Sequence, residues 1–275
     1  MAASSDSEAG QLHSDPVAPL RIAVLASGRG SNLQALLDGR SRHSALCMDA
    51  RVSQEAGCRE RPSRDTCASL HVAQRDPACN FEVAGVFSDR AHAQALERAR
   101  LAGVPAVALN PADFATREDF DAALCEAIDA VHPGLVVCAG YLRVLTDAAV
   151  QRYAGRIVNI HPSLLPRFPG LRTHAQALAA GVAEHGASVH YVIPALDAGP
   201  VIAQAWIAVQ ADDTPSGLGA RVLEREHPLL VACVRMIAAG RVFQRGSVVF
   251  VDSRPRSEPL LLGADDQLIE PEIPA

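Results

Sequence analysis

Hydrophobic and polar positions between residues 21 and 245 follow two alternating periods. Short runs rich in β-branched residues are followed by stretches with apolar residues at helical spacing, which is typical of an α/β fold: a mostly parallel twisted sheet with helices on both faces. Strands are predicted at residues 20–26, 83–87, 104–109, 135–139 and 157–160, and later, partly antiparallel ones at 188–193 and 201–209. Helices are predicted at residues 31–38, 91–102, 117–132, 146–153 and 214–239. The uniformly apolar strand at 135–139 is predicted to lie in the middle of the sheet.

Three segments do not fit this pattern and are expected to lie outside the compact core. They are a disordered N-terminal tail at residues 1–20, an irregular insert at about 40–82 and a C-terminal tail at 246–275. The insert contains a polar run, and a long connection without its own periodicity is more often a loose excursion than a packed element. The sequence therefore predicts one domain over residues 21–245.

Composition narrows the chemistry. The chain has 275 residues, of which 49% are hydrophobic, so it can build a sizeable core. Its net charge of −6 argues against a nucleic-acid partner. All its basic residues other than histidine are arginines, and the lack of lysine excludes a Schiff base and the lysine of a phosphate-binding P-loop.

Targeting signals and cysteines add little. The polar N-terminus does not have the pattern of a secretory signal, and no apolar run approaches the length of a membrane span, so a cytoplasmic location without membrane contact is expected. Seven cysteines without short-spaced pairs predict free thiols rather than disulfides or a zinc site, and no metal is expected. A metal or redox role stays open only for the cluster Cys47, Cys58, Cys67 and Cys79.

The most informative segment is the end of the strand at 157–160. Asn159 and His161 lie two residues apart and therefore on one face of the strand, and Pro162 ends the strand just after them. An amide and an imidazolium at that edge could stabilise negative charge on a carbonyl oxygen, which favours acyl or formyl transfer. Taken alone, such a pair is more often a turn cap beside an ordinary buried histidine.

Two further segments carry polar candidates. The glycine loop at 27–32 lies between a strand and a helix, where Gly30, Ser31 and Asn32 could hold a terminal phosphate, although such loops are often only tight turns. Asp197 is the one acid in an apolar loop after the strand at 188–193. It could pair with His161, keep the imidazole protonated and hold a water that shuttles protons, or it could serve a turn at Gly199.

The loop at 140–145 follows the most apolar strand, at the edge where open α/β sheets bind ligands. Leu142, Val144 and Leu145 could form a wall for a flat ring system, and Arg143 could supply charge to an acidic tail or lie on the surface. Glu226 lies in a helical pattern that by itself indicates a solvated face.

Together, four segments resemble the glycinamide ribonucleotide formyltransferase family of purine biosynthesis, which uses 10-formyltetrahydrofolate as a co-substrate. The resemblance covers about residues 21–39 and 83–242 and rests on Leu25–Gln34, Ala139–Leu145, Asn159–Pro166 and Leu196–Pro200. It implies the Rossmann-like formyltransferase fold. It also implies direct attack of the substrate amine on the formyl carbon, without a covalent enzyme intermediate.

The resemblance also assigns roles. Asn159, His161 and Asp197 are implied to be catalytic, with Asn159 and protonated His161 stabilising the oxyanion and Asp197 supporting His161. The residues implied to hold glycinamide ribonucleotide are Gly30, Ser31, Asn32 and Glu226. Those implied to contact the folate are Arg117, Leu142, Arg143, Val144, Leu145, Asn159, Ile193 and Leu196.

Relatives with the same Asn-x-His core fit less well. Methionyl-tRNA formyltransferase carries a further C-terminal domain, and formyltetrahydrofolate hydrolase a regulatory N-terminal domain, for which the sequence outside 21–245 is expected to be too short. The hydrolase and a non-catalytic folate- or nucleotide-binding relative stay as alternatives. This chain departs from the family at Arg172, where histidine is frequent, and at Ala198, where glycine is common. The expected partners are small molecules, and the chain is expected to be a monomer or a homodimer.

Overall fold

A nine-stranded sheet organises the computed structural model, which describes residues 18–39 and 81–271. The strands are β1 (Leu20–Leu25), β2 (Phe81–Ser88), β3 (Ala106–Ala108), β4 (Leu135–Cys138), β5 (Ile157–His161), β6 (Glu184–Tyr191), β7 (Val201–Ala208), β8 (Val242–Arg245), β9 (Val248–Val251), β10 (Arg254–Arg256), β11 (Leu260–Leu262) and β12 (Leu268–Ile269). The helices are α1 (31–39), α2 (Gln94–Leu101), α3 (Arg117–Asp129), α4 (Asp147–Arg152), α5 (Thr173–Ala179) and α6 (Pro215–Ala238), with a 3-10 turn at Pro111–Asp113.

The strand order in the large sheet is β12-β11-β7-β6-β5-β4-β1-β2-β3. The five strands from β5 to β3 are mutually parallel, whereas β6 runs antiparallel to both β5 and β7. β4 lies in the interior, between β1 and β5, because its uniformly apolar residues need cover on both faces. The predicted fold class, with its partly antiparallel C-terminal strands, is confirmed.

Helices cover both faces of the sheet, and alternate residues of β1 show how. Ile22 and Val24 belong to the cluster formed with helices α1, α2 and α6, whereas Ala23 and Leu25 belong to the cluster formed with α3 and α4. All four side chains are at most 1% exposed. Because successive side chains of β1 point to opposite faces of the sheet, this strand contributes to both halves of the core. Its last residue leads directly into the glycine loop.

Local start and stop signals place most helices close to their predicted positions. Thr214 caps α6 by accepting a hydrogen bond from the Gly217 N–H at 3.1 Å, and Pro215 occupies the first turn, where its missing N–H costs nothing. α5 was not predicted from the sequence. Its N-cap is Arg172, which lies in the left-handed region at φ 58° and makes no capping hydrogen bond, so the usual start signal is absent.

The predicted C-terminal tail is wrong for residues 246–271. β9 and β10 extend an antiparallel sheet that begins at β8, while β11 pairs in parallel with β7 and carries β12 at its outer edge. Leu260 and Leu262 are buried in the main core, and this long-range pairing explains why two- and three-residue strands are stable there.

The other predicted boundaries shift slightly. Leu20 begins β1, and residues 81 and 82 begin β2 rather than ending the insert. The N-terminal tail at 1–17, the insert at 40–80 and residues 272–275 lie outside the described residues. In the two ranges that are described, no helix has both the length and the apolar content needed to cross a membrane.

Replacing Gly30 with alanine is expected to destabilise the domain by about 2–4 kcal/mol. Gly30 has φ 71°, and an added Cβ would lie 2.7 Å from the Cα of Ala95. Gly28 in the same loop has no atom within 4 Å of such a Cβ, so Gly28→Ala is the matched control and should change stability by less than about 1 kcal/mol. Equal urea midpoints for the two variants would contradict this account of the loop.

Candidate active site

A cavity of about 710 Å³ lies at the carboxyl ends of β4 and β5. Its walls come from the loop after each of these strands, from the loop between β6 and β7, and from residues of the helices α1, α4, α5 and α6. This is the edge at which open α/β sheets bind ligands, since the strands end there and the loops diverge. Most of the site residues that were predicted from the sequence line this cavity.

Asn159 and His161 both line this cavity from the end of β5. Asn159 pairs directly across the sheet with His190 of β6, and its Nδ2 lies 3.1 Å from His190 Nε2. His161 is 5% exposed, and its Nε2 lies 3.0 Å from the carbonyl oxygen of Phe168. Because a carbonyl only accepts, Nε2 carries a proton and donates it to Phe168.

Asp197 reaches the same place from the loop between β6 and β7. Its Oδ2 lies 3.5 Å from His161 Nδ1, and its Oδ1 lies 3.8 Å from His190 Nε2. The side chain is 9% exposed, and Oδ2 accepts the Gly170 N–H at 2.8 Å. Both distances to the histidines exceed a normal hydrogen bond, so the carboxylate acts on the rings as a nearby charge.

One serine and one glutamine hold the loop that follows His161. Ser188 Oγ of β6 donates to the Ser163 carbonyl at 2.7 Å and accepts the Leu165 N–H at 3.0 Å. Gln204 of β7 donates to the Leu165 carbonyl at 2.8 Å. These buried bonds tie the loop to two strands, and the loop in turn presents the Phe168 carbonyl to His161.

His190 is a site residue that the sequence analysis missed. Burial lowers its pKa, against the opposing effects of the Tyr191 carbonyl and the Asp197 carboxylate, so the ring is neutral at pH 7. Its Nδ1 donates to the Tyr191 carbonyl at 2.9 Å, which leaves Nε2 as an acceptor for the Asn159 amide. Because His190 Nε2 accepts, the atom of the Asn159 side-chain amide that faces it is the nitrogen. The sequence signal for His190 was the alternation of side chains along β6. The pairing of β6 with β5, which brings His190 opposite Asn159, was not visible in the sequence.

A second histidine pair stands behind the catalytic candidates. His174 of α5 lines the cavity, and its Nδ1 lies 3.1 Å from Nε2 of the fully buried His185. Burial lowers the pKa of His185 from its ordinary 6.5 to about 4, and nearby His174 and His161 add to the effect. Burial likewise lowers the pKa of His174. Both rings are therefore neutral near pH 7.

The stability of the domain is expected to fall as pH drops from 7 to 5. The folded-state pKa of His185 lies below its unfolded value, so the unfolded chain binds the proton first. The stabilisation is present above about pH 6.5 and is lost as pH falls towards 4, with His185 contributing on the order of 1–2 kcal/mol. Urea unfolding of the native chain and of His185→Gln at both pH values measures this, and the variant should show the shallower dependence. Equal slopes would contradict it.

Glu226 and Asn32 meet at the other end of the cavity. Asn32 Nδ2 donates to Glu226 Oε2 at 2.8 Å, and both side chains are 7% exposed. Burial raises the pKa of Glu226, and the hydrogen bond from Asn32 opposes this rise. Glu226 therefore does not lie on a solvated face, as its helical pattern alone indicated. Gly30 and Ser31 precede Asn32 at the start of α1 but do not line the cavity themselves.

The remaining wall is apolar and exposed to the cavity. Leu142, Val144 and Leu196, which the sequence predicted, are 52–56% exposed, and Leu171, which it did not, is 71% exposed. Leu145 and Ile193 also line this wall. Large aliphatic side chains left exposed together in a concave surface mark a site for an apolar ligand.

Two predicted arginines occupy different positions. Arg143 lines the cavity, with its guanidinium 4.8 Å from the centre of the Phe120 ring. Arg117, expected to line the site, does not line the cavity. It lies at the start of α3 and donates to the Val144 carbonyl, so it supports the apolar wall from behind.

Over residues 18–39 and 81–271, no group of three or more His, Cys, Asp or Glu side chains is arranged to hold a metal ion. The cluster of four cysteines predicted as a possible metal or redox site, between residues 47 and 79, lies outside the described residues.

The fold and this cavity define an α/β protein that binds a small molecule beyond the carboxyl ends of its strands. A model of the formyl transferase family matches residues 63–234. Phosphoribosylglycinamide formyltransferase of Escherichia coli is 39% identical over 90% of this chain and 100% of its own length. The chain belongs to the formyl transferase family, and within it to the phosphoribosylglycinamide formyltransferases.

Solved structures agree with this assignment. The phosphoribosylglycinamide formyltransferase of Coxiella burnetii matches with a TM-score of 0.70 and 39% identity, over 86% of this chain and 96% of that one. Glycinamide ribonucleotide transformylase 1 of Symbiobacterium toebii matches with a TM-score of 0.70 and 38% identity, over 89% of this chain and 99% of that one.

Proposed function

We propose that this protein transfers the formyl group of 10-formyltetrahydrofolate to the amine of glycinamide ribonucleotide in purine biosynthesis. One observation carries the proposal: Asn159 and His161 of β5 and Asp197 of the loop between β6 and β7 meet in one cavity. A polar pair closes one end of that cavity and an apolar wall forms the other. A ribonucleotide needs polar contacts in its binding site, and the ring system of a folate needs apolar ones.

The catalytic step is direct attack of the substrate amine on the formyl carbon, after which the bond from that carbon to the folate nitrogen breaks. Asn159 donates one amide N–H to the developing oxyanion, since His190 accepts the other. His161 supplies positive charge from the same strand end. The nitrogen of the folate leaves with the proton that the attacking amine gives up, so charge balances over the step.

Asp197 supports His161 rather than touching the formyl group. The carboxylate lies 3.5 Å from His161 Nδ1, while the other ring nitrogen donates to Phe168. The carbonyl and the carboxylate thus flank the two ring nitrogens and hold the ring between them. The 3.5 Å gap also lets a water approach both groups and carry the amine's proton. Ala198, where glycine is common in the family, does not keep Asp197 from this position.

The polar end suits the ribonucleotide. Glu226 and Asn32 offer acceptors to sugar hydroxyls, and Asn32 Oδ1 is buried without a hydrogen-bond partner in the described part of the chain. Gly30 and Ser31 stand at the N-terminus of α1, where backbone N–H groups favour a phosphate. We therefore assign the phosphate to that helix end and the ribose to the Asn32–Glu226 pair.

The apolar end suits the folate. Leu142, Val144, Leu145, Ile193 and Leu196 form a wall for a flat ring system, and no rearrangement is needed to expose it. Arg143 stands at this wall with its charge available to an acidic tail. Arg117 acts on the folate only through the Val144 backbone that it holds. When bound, the folate supplies the activated formyl group.

The proposal includes the location and partners expected from the sequence. We place the reaction in the cytoplasm, with small molecules as the only substrates and no nucleic acid or membrane as a partner. A monomer and a homodimer are equally compatible with it.

One assay tests the proposal against its alternatives. The protein is mixed with 10-formyltetrahydrofolate, and the change in folate absorbance is followed with and without glycinamide ribonucleotide. The proposal predicts turnover only when the amine is present. Formate release without the amine would show a hydrolase instead, and ligand binding without any turnover would show a non-catalytic relative.

Replacing His190 with alanine is expected to lower kcat by about 10- to 100-fold with little change in either KM, because the Asn159 amide loses the acceptor that orients it. His190→Gln, which keeps an acceptor, should retain more activity. Steady-state kinetics of the three proteins measure this. A rise in KM at unchanged kcat would instead assign His190 to substrate binding.

A further inference from the structure

A second cavity, of about 630 Å³, lies at the carboxyl ends of β1 and β2 and shares no lining residue with the candidate active site. None of the roles proposed above uses it. Its walls are the first half of the glycine loop, the loop from β2 to α2, and Asn110 after β3. The polar side chains that matter for its chemistry are Arg29, Asp89, Arg90 and His92.

Asp89 is a buried acid with an incomplete set of donors. It directly follows β2, and its side chain is only 7% exposed. Its Oδ1 has no hydrogen-bond partner among the described residues, and its Oδ2 lies 4.0 Å from Arg90 Nε, which is longer than a hydrogen bond. A carboxylate is costly to bury without donors. A ligand hydroxyl at this wall would provide one.

The rim of the cavity is positively charged. Arg29, Arg90 and His92 are exposed there, and the Arg29 guanidinium makes no hydrogen bond or ion pair within the described ranges. The N-terminus of α2 borders the same space. Its N-cap residue, Ala93, has no side-chain oxygen that could accept a hydrogen bond from the first turn. Guanidinium groups beside a helix N-terminus favour a phosphate.

The glycine loop separates the two cavities. The Gly28 carbonyl accepts the Ala95 N–H at 3.2 Å, and Gly30 packs against Ala95, so the loop is fixed on α2. On its other side Ser27 Oγ accepts the Leu142 N–H at 3.0 Å. Gly28 and Arg29 face the second cavity, whereas Asn32, one turn later, lines the first. A ligand can therefore occupy one cavity without entering the other.

We propose that the second cavity binds a phosphorylated ribose, such as a nucleoside monophosphate. The ribose hydroxyls donate to Asp89, and the phosphate lies between Arg29, Arg90 and the start of α2. In open α/β sheets generally, an acid after β2 binds ribose hydroxyls, and Asp89 occupies that position here. The volume is also within the range of small-molecule sites.

Isothermal titration of the full chain with adenosine monophosphate tests the proposal. The titration is repeated with Glu226→Ala, because that change weakens ribonucleotide binding in the active site and alters no residue of the second cavity. Binding is expected, and Asp89→Asn and Arg90→Ala should each weaken it by about tenfold or more. Arg100→Ala is the matched control, because Arg100 is an arginine of α2 that does not line the cavity, and it should bind as the native chain does.

Ligand fragments locate the phosphate and ribose contributions. Ribose 5-phosphate should bind, and adenosine, which lacks the phosphate, should bind at least about tenfold more weakly than the monophosphate. Absence of binding at millimolar ligand, native affinity in both cavity variants, or loss of binding in Glu226→Ala would each overturn the proposal. Thermal unfolding checks that Asp89→Asn is folded, and exposed Arg90 gives a second variant.

Binding at this cavity and formyl transfer are measured separately. Asp89→Asn is expected to retain the native kcat of formyl transfer, because Asp89 does not line the active site. A protein that binds the monophosphate but does not formylate would refute the proposed function alone. A protein that formylates but fails the titration would refute the second site alone.

Discussion

Replacing His161 with alanine is expected to lower kcat of formyl transfer by about 10³-fold or more. The imidazole is the group proposed to carry positive charge at the strand end where the oxyanion would form, and neither Asn159 nor Asp197 can take over that role. It is 5% exposed, and its ring contacts the Phe168 carbonyl and the Asp197 carboxylate. Steady-state kinetics with both substrates saturating measure the loss.

The control for this change is His132→Asn. His132 is exposed, lies outside the cavity and has φ 48°, a conformation that asparagine tolerates well. It should keep the native kcat. Circular dichroism and thermal unfolding establish that His161→Ala is folded. A folded variant with native activity would remove His161 from the mechanism.

Replacing Asp197 with asparagine is expected to lower kcat by about 10²- to 10³-fold while leaving the shape of the site unchanged. The asparagine oxygen can still accept the Gly170 N–H, so the loop keeps its anchor. What is lost is the negative charge 3.5 Å from His161 Nδ1. The effect should fall on kcat more than on either KM, since the carboxylate is proposed to act through His161.

Asp252→Asn serves as the matched control. Asp252 also pairs with a cation, Arg241 at 2.7 Å, but the pair is half exposed and lies in the small C-terminal sheet. Its loss should leave kcat unchanged. If the two variants had the same kinetics, the carboxylate at position 197 would have no role in catalysis.

The elements that the sequence predicted well carry strong local signals. α6 was expected at 214–239 and occupies Pro215–Ala238, because a capping threonine, a first-turn proline and a long apolar period all agree. β4 was recognised from its unbroken apolar run. In contrast, α5 has no capping side chain, and β11 depends on its pairing with β7, while β12 pairs in turn with β11. Pairing across 50 or more residues leaves no local trace in the sequence.

The residues of the site also divide into those with a local sequence signal and those without one. Period two was sufficient to place Asn159 and His161 on one face of β5. Nothing in the local pattern showed that His190 would stand opposite Asn159, because that depends on the register between β5 and β6. Glu226 reads locally as a surface residue and was assigned to the substrate only by resemblance. Its burial results from the packing of α6 beside Asn32, which is 194 residues away in the chain.

A single-turnover experiment with isotopically labelled formyl folate and glycinamide ribonucleotide tests the central claim most directly. The native protein should move the label onto the ribonucleotide amine, and folded His161→Ala should do so about 10³-fold more slowly. Recovery of the label as free formate, or equal transfer rates in the two proteins, would contradict the account.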